Sequence, residues 1–186
     1  MCSMALSPRL RRRRTQELTS DELNAIRTML VATFAADGDD FSAEDWQHAL
    51  GGMHVIVDVD GRVVAHGSVV QRALQIGGVS LRTGYVEAVA TAAAHQRGGL
   101  GTRIMTNIGA YIAEHFELGA LGTGRHQFYE QFGWRTWLGP SYVRTENGEV
   151  RTQDEDGSIM VLTTPAAPLI DFALSISCEW RIGDVW

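Results

Sequence analysis

The sequence predicts an α/β fold in which a mixed, mostly antiparallel central sheet is flanked by helices. Three observations carry that prediction. First, two β-leaning runs, Met53–Val59 and Arg62–Gln71, are joined by Asp60-Gly61, a strong two-residue hairpin signal. Second, a short apolar run, Tyr85–Thr91, passes through a glycine-rich turn into a segment where Leu100, Ile104, Ile108 and Ile112 recur every four residues, one face of a helix. Third, the remaining chain alternates short apolar runs with glycine, proline and Asn-Gly turn signals.

Taken in order, residues 1–14 hold Arg9 and Arg11 to Arg14 and no acid, and read as a disordered basic tail preceding one domain, residues 15–186. Thr19 with Glu22 forms a capping box, and Leu23, Ile26, Leu30 and Phe34 supply the helix face behind it. Ser42 with Asp45 opens a second, short helix that turns Trp46 and Leu50 inward and stops at Gly51-Gly52. The hairpin follows, then Gly77-Gly78 as a second reversal, so three antiparallel strands precede the central turn. Beyond the central helix, Leu118–Leu121 reads as a strand, Arg125–Phe132 as a short helix, and Gly133 toward Val143 as one long strand. Asn147-Gly148 is a turn, Arg151–Gly157 an acidic loop, and Ser158–Thr163 and Ser175–Arg181 the last strands.

Composition excludes several classes. No apolar run approaches the roughly 20 residues a membrane helix needs. The net charge is −6, but outside the basic tail 11 basic residues face 22 acidic ones, a body of −11 that repels nucleic acid and attracts polycations. No apolar segment follows the arginines, so they do not read as an export signal. Cys2 and Cys178 form no metal-ligand or disulfide pattern, and the six histidines show no His-Glu-x-x-His arrangement. The simplest fit is a metal-free enzyme in the reducing cytoplasm.

The turn at Gln96-Arg97-Gly98-Gly99-Leu100-Gly101 aims backbone N–H groups at whatever sits over the helix N-terminus, where the dipole favours a phosphate. A P-loop is excluded because the chain has no lysine, and the dinucleotide pattern Gly-x-Gly-x-x-Gly is absent from this turn. Gln96-x-x-Gly99-x-Gly101 resembles the pyrophosphate-binding turn of the GNAT N-acetyltransferases. About thirty residues on, Phe128-Tyr129-Glu130-Gln131-Phe132-Gly133-Trp134 resembles the second signature of the same superfamily. Phe41–His54, Gly84–Glu87, Leu118–Leu121 and the ending Trp180-Arg181-x-Gly-Asp-Val-Trp are similar to the aminoglycoside 2'-N-acetyltransferases of mycobacteria and relatives. The resemblance spans nearly the whole chain after the tail. One departure is Gly122-Thr123-Gly124, which stands where a serine-rich segment is expected and leaves only backbone contacts there.

The resemblance implies a sheet splayed at the cofactor strand, and acetyl-CoA bound along Val89, Ala90 and Thr91 and over Gln96, Arg97, Gly98, Gly99, Leu100 and Gly101, with CoA released. It also implies a homodimer. Acetyl transfer needs a neutral amine, so a base must take a proton. Glu87, a carboxylate in an apolar strand, is the candidate, against a structural carboxylate paired with arginine. Tyr129 is the candidate donor to the leaving thiolate, against a tyrosine that only fills the core. A backbone N–H near Val89 can hold the developing oxyanion. For an aminoglycoside, rich in ammonium groups, the resemblance points to Asp40, Glu87, Ala88, Gly122, Asp154, Glu155, Asp184 and the terminal carboxylate of Trp186. Each acid alone also fits a solvated surface. Neither signature contains a cysteine, so transfer is expected directly within a ternary complex. Three functions stay open: an aminoglycoside-modifying enzyme, the same chemistry on a metabolic amino sugar or other polyamine with aminoglycosides as incidental substrates, or a non-catalytic acyl-CoA-binding module.

Overall fold

The computed structural model describes residues 7–186. Backbone packing divides the chain into two compact units. The first holds residues up to Ser68 together with Glu87–Ile108, and the second holds Val69–Val86 together with Gly109–Trp186.

The first unit begins with β1, Arg9–Arg14, antiparallel to β2, Met53–Val59, with Arg9 opposite Asp58 and Arg14 opposite Met53. This corrects the expected disordered tail over residues 9–14; residues 1–6 of that tail lie outside the described residues. The arginine run pairs because its charges find partners. Arg11 donates to Asp58 Oδ2 at 2.7 Å and Glu22 Oε1 at 2.6 Å, and Arg12 donates to the Asn107 carbonyl at 3.1 Å. Arg11 thus reaches acids, whereas Arg12 and Arg13 bond neutral oxygens.

Helix α1, Ser20–Asp37, starts at the predicted Thr19–Glu22 capping box and ends at Gly38 in the left-handed region, φ 86°. Ile26 and Leu30 are buried, and Leu23 and Phe34 pack on the same cluster with Trp46, Ile56 and Ala90. Helix α2, Ala43–His48, is capped by Ser42 and Asp45. Asp60 (φ 52°) and Gly61 (φ 73°) make the hairpin from β2 to β3, Arg62–Ile76. The other strand contributing to this unit is β4, Val79–Thr91, followed by α3, Leu100–His115. Strands β3 and β4 and helix α3 each supply residues to both units.

In the second unit β4 pairs parallel to β5, Leu118–Gly122, with Tyr85 opposite Ala120. Helix α4, His126–Glu130, follows β5. The expected strand from Gly133 to Val143 is two strands instead. β6, Arg135–Thr136, pairs with β9, Ile159–Thr163, whereas β7, Ser141–Thr145, pairs parallel to β10, Ile176–Glu179. Between the two strands the chain passes close to the Leu174 carbonyl, an approach that requires glycine. A methyl group at Gly139 would sit 1.9 Å from the Leu174 carbonyl, and Trp137 Nε1 donates to that same carbonyl at 3.1 Å. Pro140 then offers no N–H to a ladder. β8, Gly148–Arg151, is an unforeseen strand antiparallel to β7. β9 lies antiparallel to β5, and β10 antiparallel to β3. Tyr85, Leu118, Trp137, Ile159, Val161, Ile176, Cys178 and Trp186 are buried in this unit's core.

Candidate active site

In the first unit the strand–turn–helix order is as expected. Leu100, Ile104 and Ile108 are buried along α3, which fixes the helix and leaves the turn at its N-terminus exposed. Arg97 (φ 63°) and Gly99 (φ 76°) are both left-handed, and a methyl group at Gly99 would meet nothing within 4 Å. The main chain of the turn is therefore open to solvent at Gly99. Gln96 uses its side-chain amide to bond the Thr91 carbonyl at 3.1 Å, tying the turn to the end of β4. These features fit a diphosphate at the helix N-terminus.

Upstream, β4 is irregular at the predicted base. Ala88 has φ 52°, a conformation costing a non-glycine residue about 1–2 kcal/mol. Two successive carbonyls of β4 are taken by β3 side chains: Ser68 Oγ donates to Glu87 O at 3.3 Å, and His66 Nδ1 lies 2.8 Å from Ala88 O. Glu87, Ala88 and Val89 are half-buried, between buried Val86 and Ala90. Asp40 also lies in the first unit. It is exposed and accepts the Phe41 N–H at 2.9 Å.

The second unit brings together the remaining predicted residues on the substrate side. Trp186, the last residue, is only 5% exposed. Its indole donates to Thr152 Oγ1 at 3.0 Å, and its backbone N–H to Asp184 Oδ1 at 3.2 Å. A methyl group at Gly122 would lie 3.5 Å from the Trp186 carboxyl carbon and 3.6 Å from the Tyr85 hydroxyl oxygen. The Trp186 carbonyl group thus stands beside bare main chain and a phenol. Burial, with repulsion from Asp184 and Asp154, raises the Glu155 carboxyl above its ordinary range, so these acids share one field. That arrangement favours a polycation.

Tyr129 is half-buried on α4, edge-on to Phe128 at 5.0 Å and to Trp134 at 6.4 Å. Burial pushes its hydroxyl up to about 12, against a lowering by Arg125. It therefore keeps its proton near neutral pH and can donate it in a hydrogen bond. Burial likewise pushes the Cys178 thiol up to about 11, which removes it as a nucleophile at neutral pH.

Sequence reasoning missed Arg72. It is 4% exposed and holds the chain end: Nη1 donates to Val185 O at 2.8 Å and Nη2 to Glu179 O at 2.9 Å. Its guanidinium lies 4.7 Å over the Tyr85 ring. The available signal was a charge inside the apolar run of β3, the same kind of signal that singled out Glu87.

The family model described as "Acetyltransferase (GNAT) domain" matches residues 14–137, and the chain belongs to the GNAT acetyltransferases. Within that family it is similar to the aminoglycoside 2'-N-acetyltransferase of Mycolicibacterium fortuitum. The two are 38% identical over 177 residues, 92% of this chain and 89% of the relative. Two solved structures share the fold. A GNAT family N-acetyltransferase of Escherichia coli in complex with CoA superimposes with a TM-score of 0.64 at 14% identity, covering 98% of this chain and 97% of that one. A GNAT family acetyltransferase of Brucella melitensis in complex with acetyl-CoA gives 0.57 at 17% identity, covering 88% of this chain and 94% of that one. The predicted mixed α/β architecture and the superfamily are thereby established.

Proposed function

We propose that this chain transfers the acetyl group of acetyl-CoA to the 2'-amino group of aminoglycosides. The observation that carries the substrate side is the packing of Trp186: buried, with its carbonyl group beside Gly122 and the Tyr85 hydroxyl, in the second unit with Glu155, Asp154 and Asp184. A flexible chain end would lose its conformational freedom on binding a ligand. Here the fold has already immobilised it.

Acetyl-CoA, when bound, supplies an activated acyl thioester. The turn from Gln96 to Gly101 and the β4 segment Val89–Thr91 are the residues to hold it. Glu87 accepts the proton that the substrate ammonium must lose. The backbone N–H of Val89 donates to the oxygen on which negative charge develops. Tyr129, protonated at any physiological pH, donates a hydrogen bond toward the departing sulfur. In the second unit Trp186, Asp184, Asp154 and Glu155 hold other ammonium and hydroxyl groups, and the main chain at Gly122 contributes without a side chain; Asp40 is the first unit's candidate for the same role. Cys178 is buried and its thiol is raised, so it is not assigned as an acyl acceptor, and transfer runs within a ternary complex.

The test is thiol release measured across aminoglycosides with and without a 2'-amino group. Turnover confined to those carrying the group is expected. Equal turnover on compounds lacking it, or none on any, overturns the proposal.

A further inference from the structure

Two histidines of the first unit have no part in the chemistry above. His54 on β2 and His66 on β3 are both fully buried, without a carboxylate partner in their hydrogen-bonded chain. Burying an imidazole is costly unless its nitrogens are bonded. Here all four are bonded, and in one direction. Ala88 O can only accept, so His66 Nδ1 carries a hydrogen, at 2.8 Å. His66 Nε2 then accepts from His54 Nδ1–H at 2.9 Å, and His54 Nε2 accepts from the Thr15 hydroxyl at 2.8 Å. The Thr15 oxygen in turn accepts the Gly51 N–H at 2.8 Å. Burial lowers both imidazoles, His54 to about 4 and His66 to about 3, so both are neutral near pH 7 and the one-way arrangement is kept.

The chain ends on the one strained residue of β4. Ala88, at φ 52°, is the only non-glycine with positive φ in that strand. Its carbonyl belongs to the same planar peptide as the Val89 N–H, and in a trans peptide the two point in opposite directions. A donor that fixes the carbonyl therefore aims the N–H. It also polarises the peptide, strengthening the N–H as a donor by about 10–30%. Ser68 secures the preceding carbonyl, that of Glu87, at 3.3 Å. A core that needed only packing would be built from valine and leucine, with no requirement for a directional chain.

We infer that Thr15, His54 and His66 form a buried positioning chain, which holds the Ala88 peptide in its left-handed form and so aims the Val89 N–H and the adjoining Glu87 for acetyl transfer. This rests on the assignment of Glu87 and Val89 made above. His66 is a positioning residue, acting through the peptide it holds.

The test is His66→Leu against His66→Asn, with Glu87→Gln as the control arm. Leucine removes the donor. Asparagine keeps an N–H at the δ position within reach of Ala88 O. Loss of one oxyanion donor costs about 10²–10³ in turnover, and misaiming one should cost about 10–10². The expected result for His66→Leu is a kcat lower by that factor, with both KM values within about threefold, and recovery of most of the loss in His66→Asn. A folded His66→Leu protein with wild-type kcat overturns the inference, as does equal impairment in the two variants. If His66→Leu does not fold, Thr15→Val cuts the chain at its outer end, and the imidazole ¹⁵N shifts of the wild-type protein report the tautomers directly. An Nε2–H tautomer at His66 overturns the inference. If Glu87→Gln keeps full turnover, the base assignment itself has failed. If Glu87→Gln is impaired and His66→Leu is not, only the positioning chain is wrong.

Discussion

Arg72→Met isolates what holds the chain end. Methionine keeps much of the stem and removes the guanidinium. Two hydrogen bonds from a charged donor are lost, to Val185 O at 2.8 Å and Glu179 O at 2.9 Å. Hydrogen bonds to charged groups contribute about 1.5–3 kcal/mol each. The ion pair to Glu179 adds little, because it is long at 3.4 Å and the carboxylate side chain is 42% exposed. The charge over Tyr85 at 4.7 Å adds about 1 kcal/mol. Against this stands the relief of no longer burying a charge, which offsets part of the sum. A net loss of about 2–4 kcal/mol follows, and in a chain of this size each kcal/mol lowers Tm by about 2–4 °C. Thermal melting should therefore show a drop on the order of 5–15 °C. The same variant releases Trp186, whose proposed contact with an ammonium would contribute about 1.5–3 kcal/mol. Aminoglycoside KM should rise at least about tenfold, since about 1.4 kcal/mol is a factor of ten, while acetyl-CoA affinity by calorimetry stays unchanged. Adding one glycine after Trp186 is the companion variant. It keeps Arg72 and the indole but displaces the charge, so KM should rise without a fall in Tm. If Arg72→Met melts within about 2 °C of wild type and keeps its KM, the tail is held by other contacts and the reasoning fails.

Three further outcomes follow from the same geometry. Glu87→Gln should lower turnover by roughly 10²–10⁴ at neutral pH and recover at high pH, where the amine is already neutral; a pH–rate profile parallel to wild type would reject Glu87 as the base. Gly99→Asp should weaken acetyl-CoA binding by several kcal/mol, because it sets a negative charge against the diphosphate, whereas Gly99→Ala carries only the strain of φ 76°. Calorimetry giving equal affinities for the two variants would show that the turn does not hold a diphosphate. Stability should fall as pH drops from about 6.5 toward 4. His54 and His66 titrate near 4 and 3 when folded but near 6.5 when unfolded, so the unfolded chain binds the extra protons and the stability present above pH 6.5 is lost on acidification. Glu155, raised in the folded state, contributes with the opposite sign, gaining stability on acidification. Melting curves for wild type and His66→Asn across pH 7 to 4.5 check this, with a shallower slope expected in the variant.

The parts governed by local rules were legible in the sequence. Thr19 with Glu22 and Ser42 with Asp45 cap helices because a side-chain oxygen three residues from an amide needs nothing else to find it. Asp60-Gly61 and Gly77-Gly78 turn the chain because their positive φ values suit few other residues. The four-residue spacing from Leu100 to Ile112 became the buried face of α3, and the two ordered signatures identified the superfamily. What only tertiary structure decided depends on partners distant in the chain. Arg9–Arg14 is a strand because Asp58 and Glu22 meet Arg11. The run from Gly133 to Val143 divides because its two ends pair with different strands, β9 and β10, and glycine is needed at 139 because the Leu174 carbonyl fills the space a side chain would take. Arg72, 113 residues from Val185, shows no local sign of the carbonyl it holds. Nor do His54 and His66 reveal, as two scattered histidines, the hydrogen-bonded line they form to Ala88. Periodicity and capping act over a few residues and can be read in order along the chain. Charge compensation, steric exclusion and directional hydrogen bonding act across space, and their partners exist only once the sheet has formed.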